Sequence, residues 1–176
     1  MNSNRKTVLY IASSLDGFIA REDGSLDWLY ATEGEGDNGY GTFYETIDTV
    51  IMGNKTYQHT KVLADEFPYK DKKCYVFSRQ NEGKNDGNVQ YINEDIASFI
   101  QVLKKQGGSK IWIVGGSELL DVFMKEKLVD EFIVAIIPII LGKGIPLYKA
   151  DNPEVRLKLT EIQQFGQVAQ LHYEKF

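Results

Sequence analysis

The residues of this chain best suited to chemistry fall in short polar clusters, each set directly after an apolar run. Ile111-Trp112-Ile113-Val114 stops at Gly115-Gly116, and Ser117-Glu118 then open an amphipathic stretch. Glycine has no Cβ, so its backbone can approach a ligand closely. The first turn of a helix offers unpaired N–H groups and a partial positive charge. Apolar strand, double glycine and helix in that order suit an anion such as a nucleotide pyrophosphate. The same residues also suit a plain strand-to-helix turn, because glycine punctuates turns of every kind. No third glycine follows in Ser117-Glu118-Leu119, so the dinucleotide fingerprint G-x-G-x-x-G is not met and a Rossmann domain is not implied.

Other clusters repeat the arrangement. Ser13-Ser14 end the first apolar run, Gly53-Asn54-Lys55-Thr56 end the run at 49–52, and Ser78-Arg79 end the run at 73–77. Each supplies glycine backbone, hydroxyls or a cation. Arg79 is either a solvated charge or a bidentate partner for a phosphate. Two carboxylates have alternatives of their own. Asp16, in Leu15-Asp16-Gly17, is either a turn residue accepting a backbone N–H or the group that orients a loop closing over a bound ligand. Asp27 either favours a helix dipole from the first turn or, with its pKa raised by Trp28, bonds a heterocycle N–H and relays a proton. His59 and His172 stand alone, with no metal-binding spacing, and His172 is expected to face solvent. No Ser/His/Asp arrangement is placed by any motif.

These clusters need a frame. The chain has 176 residues, which suits one domain over 1–176, and its 43% hydrophobic and 26% charged residues are an ordinary globular balance. A net charge of −5 argues against broad nucleic-acid binding, yet leaves room for a small anionic ligand held by a few local cations. Cys74 has no second cysteine to pair with and reads as a small buried hydrophobe. The polar N-terminus does not read as a signal peptide, and no apolar run reaches bilayer length, so a soluble cytoplasmic protein is expected.

Strands are expected at 7–13, 49–52, 73–77, 89–92, 111–114 and 131–138, with a short extended piece at 18–20. Helices are expected from 25 with Ser25 as cap, at 42–47, from Asn54 as cap, at 95–106 and from Ser117. The clearest is 95–106, where Ile96, Phe99, Ile100 and Leu103 fall on one face. Near the end, Val155, Leu157 and Leu159 alternate with polar residues, as do Ala169, Leu171 and Tyr173, with Gly166 between: an antiparallel hairpin. The expected architecture is α/β: a mostly parallel central sheet, helices on both faces and an antiparallel C-terminal hairpin. Ligands of such sheets bind beyond the carboxyl ends of the strands, which gathers all four clusters at one rim.

In that order and spacing, YIASSLDGFIA at 10–20, VIMGNKTY at 50–57, VFSR at 76–79 and IVGGSELLDVFMKEKLVDEF with IPIILGKGIPLY resemble the dihydrofolate-reductase-like superfamily. The resemblance is nearest to the reductase domain of the bifunctional riboflavin-biosynthesis deaminase-reductase and its stand-alone bacterial branch. It implies a reductase using NADPH. Ala12 and Ile19 would lie near the nicotinamide, and Gly53, Lys55 and Thr56 near the phosphates. Ser78 and Arg79 would meet the adenosine end, and Gly115, Gly116, Ser117 and Glu118 would form the pyrophosphate turn, often with a cis peptide between the glycines. Asp27 would anchor the substrate, since the first loop and following helix line the substrate side in the superfamily's layout, and Asp16 would orient the loop closing over the nicotinamide. The implied substrate is a pyrimidine ribosylamine, as in 5-amino-6-(5-phosphoribosylamino)uracil reductase. A dihydrofolate or pterin reductase and a nucleotide-binding module without turnover are the alternatives. The long apolar strand and terminal hairpin suit a homodimer.

Overall fold

The computed structural model of the chain describes residues 5–79 and 86–176. Residues 80–85, in the polar stretch between the strands expected at 73–77 and 89–92, lie outside the described residues. The elements in chain order are β1 (Thr7–Ser14), β2 (Phe18–Ala20), α1 (Asp27–Tyr30), α2 (Tyr40–Glu45), β3 (Ile47–Gly53), α3 (Asn54–Leu63), β4 (Lys73–Phe77), β5 (Gln90–Ile92), α4 (Ile96–Lys105), β6 (Lys110–Gly115), α5 (Ser117–Lys125), β7 (Glu131–Ile137), β8 (Ile145–Pro146), β9 (Leu157–Phe165) and β10 (Val168–Lys175).

Eight strands make one sheet in the order β5-β4-β3-β6-β1-β7-β10-β9. The pairings from β5 through β7 are parallel, and β10 and β9 add antiparallel. Six parallel strands need both faces covered, and their sequences are accordingly almost continuously apolar. On one face Leu9, Ile51, Ile111 and Ile113 pack under α4 and α5 through Ile100, Leu103, Leu120 and Phe123. On the other, Val8, Val50, Met52 and Trp112 pack under α2 and α3 through Phe43 and Tyr57. Trp112 is 5% exposed and its indole N–H donates to the Tyr10 carbonyl at 3.2 Å. Cys74 is buried and free, and burial pushes its thiol up to about 12.

After β1 the chain fills β3, β4 and β5 outward on one side, returns to place β6 between β3 and β1, then crosses to β7. The strand order reverses at β6, so the crevice at the carboxyl ends of β3, β6 and β1 is the topological switch point, where ligands of open α/β sheets bind.

Several local expectations are corrected. The helix expected at 42–47 is α2, two residues earlier, because Ile47 is drawn into β3. Ser25 does not cap α1, which is a single turn with Leu26 at its N-cap. Asn54 is the first residue of α3 rather than its cap, and Gly53 holds the cap position without a side-chain bond. By contrast α4 is capped as its sequence suggests, with the Asp95 carboxylate accepting from Ser98 N at 2.8 Å. The two-residue strand β8, paired to β2, was not expected. His172 does not face open solvent. It is half-buried beside Gln170, which lies 2.8 Å from its Nε2, and burial holds its pKa below the ordinary imidazole value.

Candidate active site

The switch point brings the glycine clusters together. The peptide between Gly115 and Gly116 is cis, and Gly115 takes φ +126, which only glycine adopts readily. A Cβ on Gly53 would lie 3.8 Å from the Gly116 N–H, and one on Gly116 would press to 3.1 Å from Thr56 Oγ1. The loops after β3 and β6 are therefore in contact, and both are trimmed of side chain where they meet. Lys55 and Glu118 reach across them, Nζ to Oε1 at 3.6 Å. Both side chains are more than four-fifths exposed, so the pair is weak and either group can turn to a ligand.

The two helices that start here, α3 and α5, have no side-chain cap. Their first-turn N–H groups are left for solvent or an anion, and their dipoles favour negative charge. Two such helix starts side by side, with glycine backbone between them and a lysine above, fit the pyrophosphate of a dinucleotide. Ser78 and Arg79 follow β4, the next strand outward, and Arg79 is exposed. The Ser78 N–H donates to the Ile92 carbonyl at 3.0 Å.

The remaining predicted residues are arranged differently. Ser13 and Ser14 belong to β1 and are buried, so their hydroxyls do not face the rim as expected. Ser14 Oγ instead accepts from Phe18 N at 2.9 Å and donates to Asp16 at 2.7 Å. Asp16 also accepts from Leu141 N at 3.1 Å and Gly142 N at 2.7 Å. Its bonds, that from Ser14 first, hold it below the usual carboxylate range. It thus ties the β1–β2 turn to the loop after β7. Ala12 packs half-buried into a cluster with Trp28, Ile137 and Val168, while Ile19 packs against the core under α4 and α5.

Asp27 is 63% exposed and takes a two-pronged bond from Arg21, Nε to Oδ1 at 2.7 Å and Nη2 to Oδ2 at 2.9 Å. The raised pKa expected from its aromatic neighbour is corrected: the Arg21 bond chiefly holds Asp27 below the usual carboxylate range. Trp28 turns inward and is 2% exposed, leaving the carboxylate to solvent and the guanidinium.

Sequence reasoning missed a cleft of about 270 Å³ between the β2–α1 loop and α3. Asp23, Ser25, Leu26 and Tyr30 line one wall, and His59 and Leu63 the other. It has no contiguous motif. Its signal is the i, i+4 spacing of His59 and Leu63 on the helix that begins at the glycine turn. Among the described residues no group of three or more metal-ligating side chains occurs, and no helix is long and apolar enough to cross a membrane.

Residues 5–171 match the family model of the RibD C-terminal domain. The chain belongs to that family. It is 57% identical to the uncharacterized protein YwjB of Bacillus subtilis (strain 168), over 96% of this chain and 97% of that one. Among solved structures, one from Shewanella sp. PV-4 named for riboflavin biosynthesis superposes with a TM-score of 0.87 at 26% identity, covering 97% and 99% of the two chains. The diaminohydroxyphosphoribosylaminopyrimidine deaminase/5-amino-6-(5-phosphoribosylamino)uracil reductase of Thermotoga maritima gives 0.73 at 17% identity, covering 98% of this chain and 57% of that longer one. Dihydrofolate reductase from Enterococcus faecalis, complexed with NADP(H), gives 0.65 at 13%, covering 97% and 96%. At those last two identities the likeness is one of fold. The fold is dihydrofolate-reductase-like, as the motifs implied.

Proposed function

We propose that this RibD-family domain is an NADPH-dependent reductase that passes hydride to a pyrimidine ribosylamine or a pterin-like heterocycle. The observation that carries the reading is the junction of Gly53, Thr56, Gly115 and Gly116 between two uncapped helix starts. The N–H groups at the heads of α3 and α5 would take the pyrophosphate oxygens, with Lys55 balancing charge. Arg79 would meet the 2′-phosphate, and Ser78 the adenosine end. Ala12 and Ile19 would border the nicotinamide. The bound reduced nicotinamide supplies the hydride. The protein's part is to fix the distance to the acceptor carbon and keep water away. That division of labour agrees with a site where no catalytic dyad stands out.

The activity in the name of the Thermotoga protein, reduction of 5-amino-6-(5-phosphoribosylamino)uracil, is one candidate, and pterin reduction is another. A binding module without turnover is the second reading. It is favoured by both candidate acids being engaged, Asp27 with Arg21 and Asp16 with loop amides. Fluorescence titration with NADPH, followed by cofactor oxidation across pterins and pyrimidine ribosylamines, separates these readings. Binding with oxidation supports the reductase, and binding without oxidation supports the module. Failure to bind NADPH removes both.

A further inference from the structure

We infer that the cleft between the β2–α1 loop and α3 accepts a heterocycle that carries no phosphate, and that Asp23 enforces this choice. The inference rests on the reductase reading above and narrows its substrate.

The cleft shares α3 with the glycine junction. Thr56 stands at the junction, and His59 and Leu63 line the cleft one and two turns further on. A helix rises 1.5 Å per residue, so the cleft begins about 5 Å from Thr56. A nucleotide at the junction and a second molecule in the cleft would therefore be neighbours.

The charges in and around the cleft are set against a phosphate. Its lining holds one carboxylate, Asp23, and no lysine or arginine. Asp23 accepts from Ser25 N at 2.9 Å, which fixes the carboxylate on the loop wall. Of the cations on the surrounding elements, Lys55 stands at the glycine junction near Glu118, and the others have partners outside the cleft. Arg21 is held by both oxygens of Asp27. Lys143 meets Glu22 at 2.9 Å, and Lys61 lies over the Tyr57 ring with Asp86 at 3.8 Å. A phosphate monoester carries about −1.5 to −2 charge at neutral pH. It would meet Asp23 with no guanidinium or ammonium in the lining to offset it, and because Asp23 is exposed that repulsion is greatest at low salt.

The rest of the lining suits a bare ring. Leu26, Tyr30 and Leu63 give apolar and aromatic surface, and Tyr30 and Leu63 are 71% and 63% exposed. Ser25 and His59 provide polar edges for ring nitrogens and carbonyls. The volume falls just under the roughly 300–1,000 Å³ of small-molecule sites, which leaves room for one heterocycle with a short substituent.

The test titrates the protein, saturated with NADP⁺, with a matched pair of probes: 5-amino-6-ribitylaminouracil and its 5′-phosphate. The expected result is at least tenfold tighter binding of the unphosphorylated probe, with the ratio narrowing at high salt. Asp23→Asn keeps an acceptor for Ser25 N and should narrow the ratio, and Asp23→Lys should reverse it. An NADP⁺ titration of each variant reports whether it has folded. Equal or tighter binding of the phosphate, with NADP⁺ bound normally, overturns the inference and leaves the reductase reading standing. Binding of neither probe beside bound NADP⁺ overturns the assignment of the cleft. Failure of NADP⁺ itself to bind overturns the reductase reading and this inference with it.

Discussion

Single residues test the proposed cofactor side apart from the rest. Gly116→Val puts branched bulk where even a Cβ would stand 3.1 Å from Thr56 Oγ1, so NADPH binding is expected to be lost in a protein that still folds. Trp112→Phe should do the opposite. It removes a buried indole bond and some packing, costing about 0.5–3 kcal/mol in urea unfolding and leaving NADPH affinity in place. Normal cofactor binding by folded Gly116→Val would overturn the pyrophosphate turn. Arg79→Ala should cut the preference for NADPH over NADH by about tenfold or more, the scale of one charge-assisted contact. An unchanged preference would return Arg79 to an ordinary surface charge. Asp27→Asn is expected to lower turnover with little change in NADPH affinity. Because Arg21 holds the Asp27 pKa down, any dependence of rate on this carboxylate should lie below its usual titration range near pH 4, not near neutrality. Identical pH–rate profiles for the two proteins would leave Asp27 as a partner of Arg21 only.

At the scale of elements, the strands that carry the candidate site were legible because buried parallel strands are marked by apolar runs closed by glycine or polar residues. The helix at 95–106 was legible through its spacing and its cap. What the sequence did not disclose follows from tertiary pairing. β8 is two residues long and exists only because β2 lies beside it. The hydroxyl of Ser14 is held by Asp16, which in turn bonds the loop after β7, more than 120 residues away in sequence. The cleft depends on α3 facing a loop that precedes it by some thirty residues, so no local pattern names it. Asp16 gives a prediction at this scale. Asp16→Ala should speed hydrogen exchange at the Leu141 and Gly142 amides far more than in the β3–β6 core, since those amides lose their acceptor. Uniform exchange changes would show that the tie is not local. His172 on β10 gives another. Its folded pKa is depressed by burial, so its contribution to stability is present above the ordinary imidazole pKa of 6.5 and is lost as pH falls through the folded value. Unfolding midpoints should therefore drop between neutral and mildly acid pH, and His172→Gln should flatten that part of the curve.

For the whole molecule, the feature that bears on assembly is β9, the last strand of the sheet. Leu159 and Ile162 on it are 48% and 64% exposed. A shift in register at His172–Tyr173 puts Leu157, Leu159 and Ile162 opposite Lys175, Tyr173 and Leu171, on one face. Two β9 strands paired antiparallel about a two-fold axis between Leu159 and Thr160 would set Lys158 opposite the partner's Glu161, and Leu157 opposite the partner's Ile162. That self-complementary pattern is the ground for expecting a homodimer. Sedimentation velocity should show a dimer that Ile162→Lys converts to monomer, and a monomeric parent protein would end the expectation.

The geometry of α3 has a consequence for how such a protein can diversify. In the proposed reading its opening residues would serve the nucleotide, while His59 and Leu63 line the cleft, and the two sets share no position. If that reading holds, substitutions at the far turns would be free to change which molecule is reduced without disturbing the supply of reducing power. Lineages built on this scaffold can exchange clients while keeping their fuel. Divergence within such a lineage is then expected to concentrate at 23–30 and 59–63, with the glycine junction held constant.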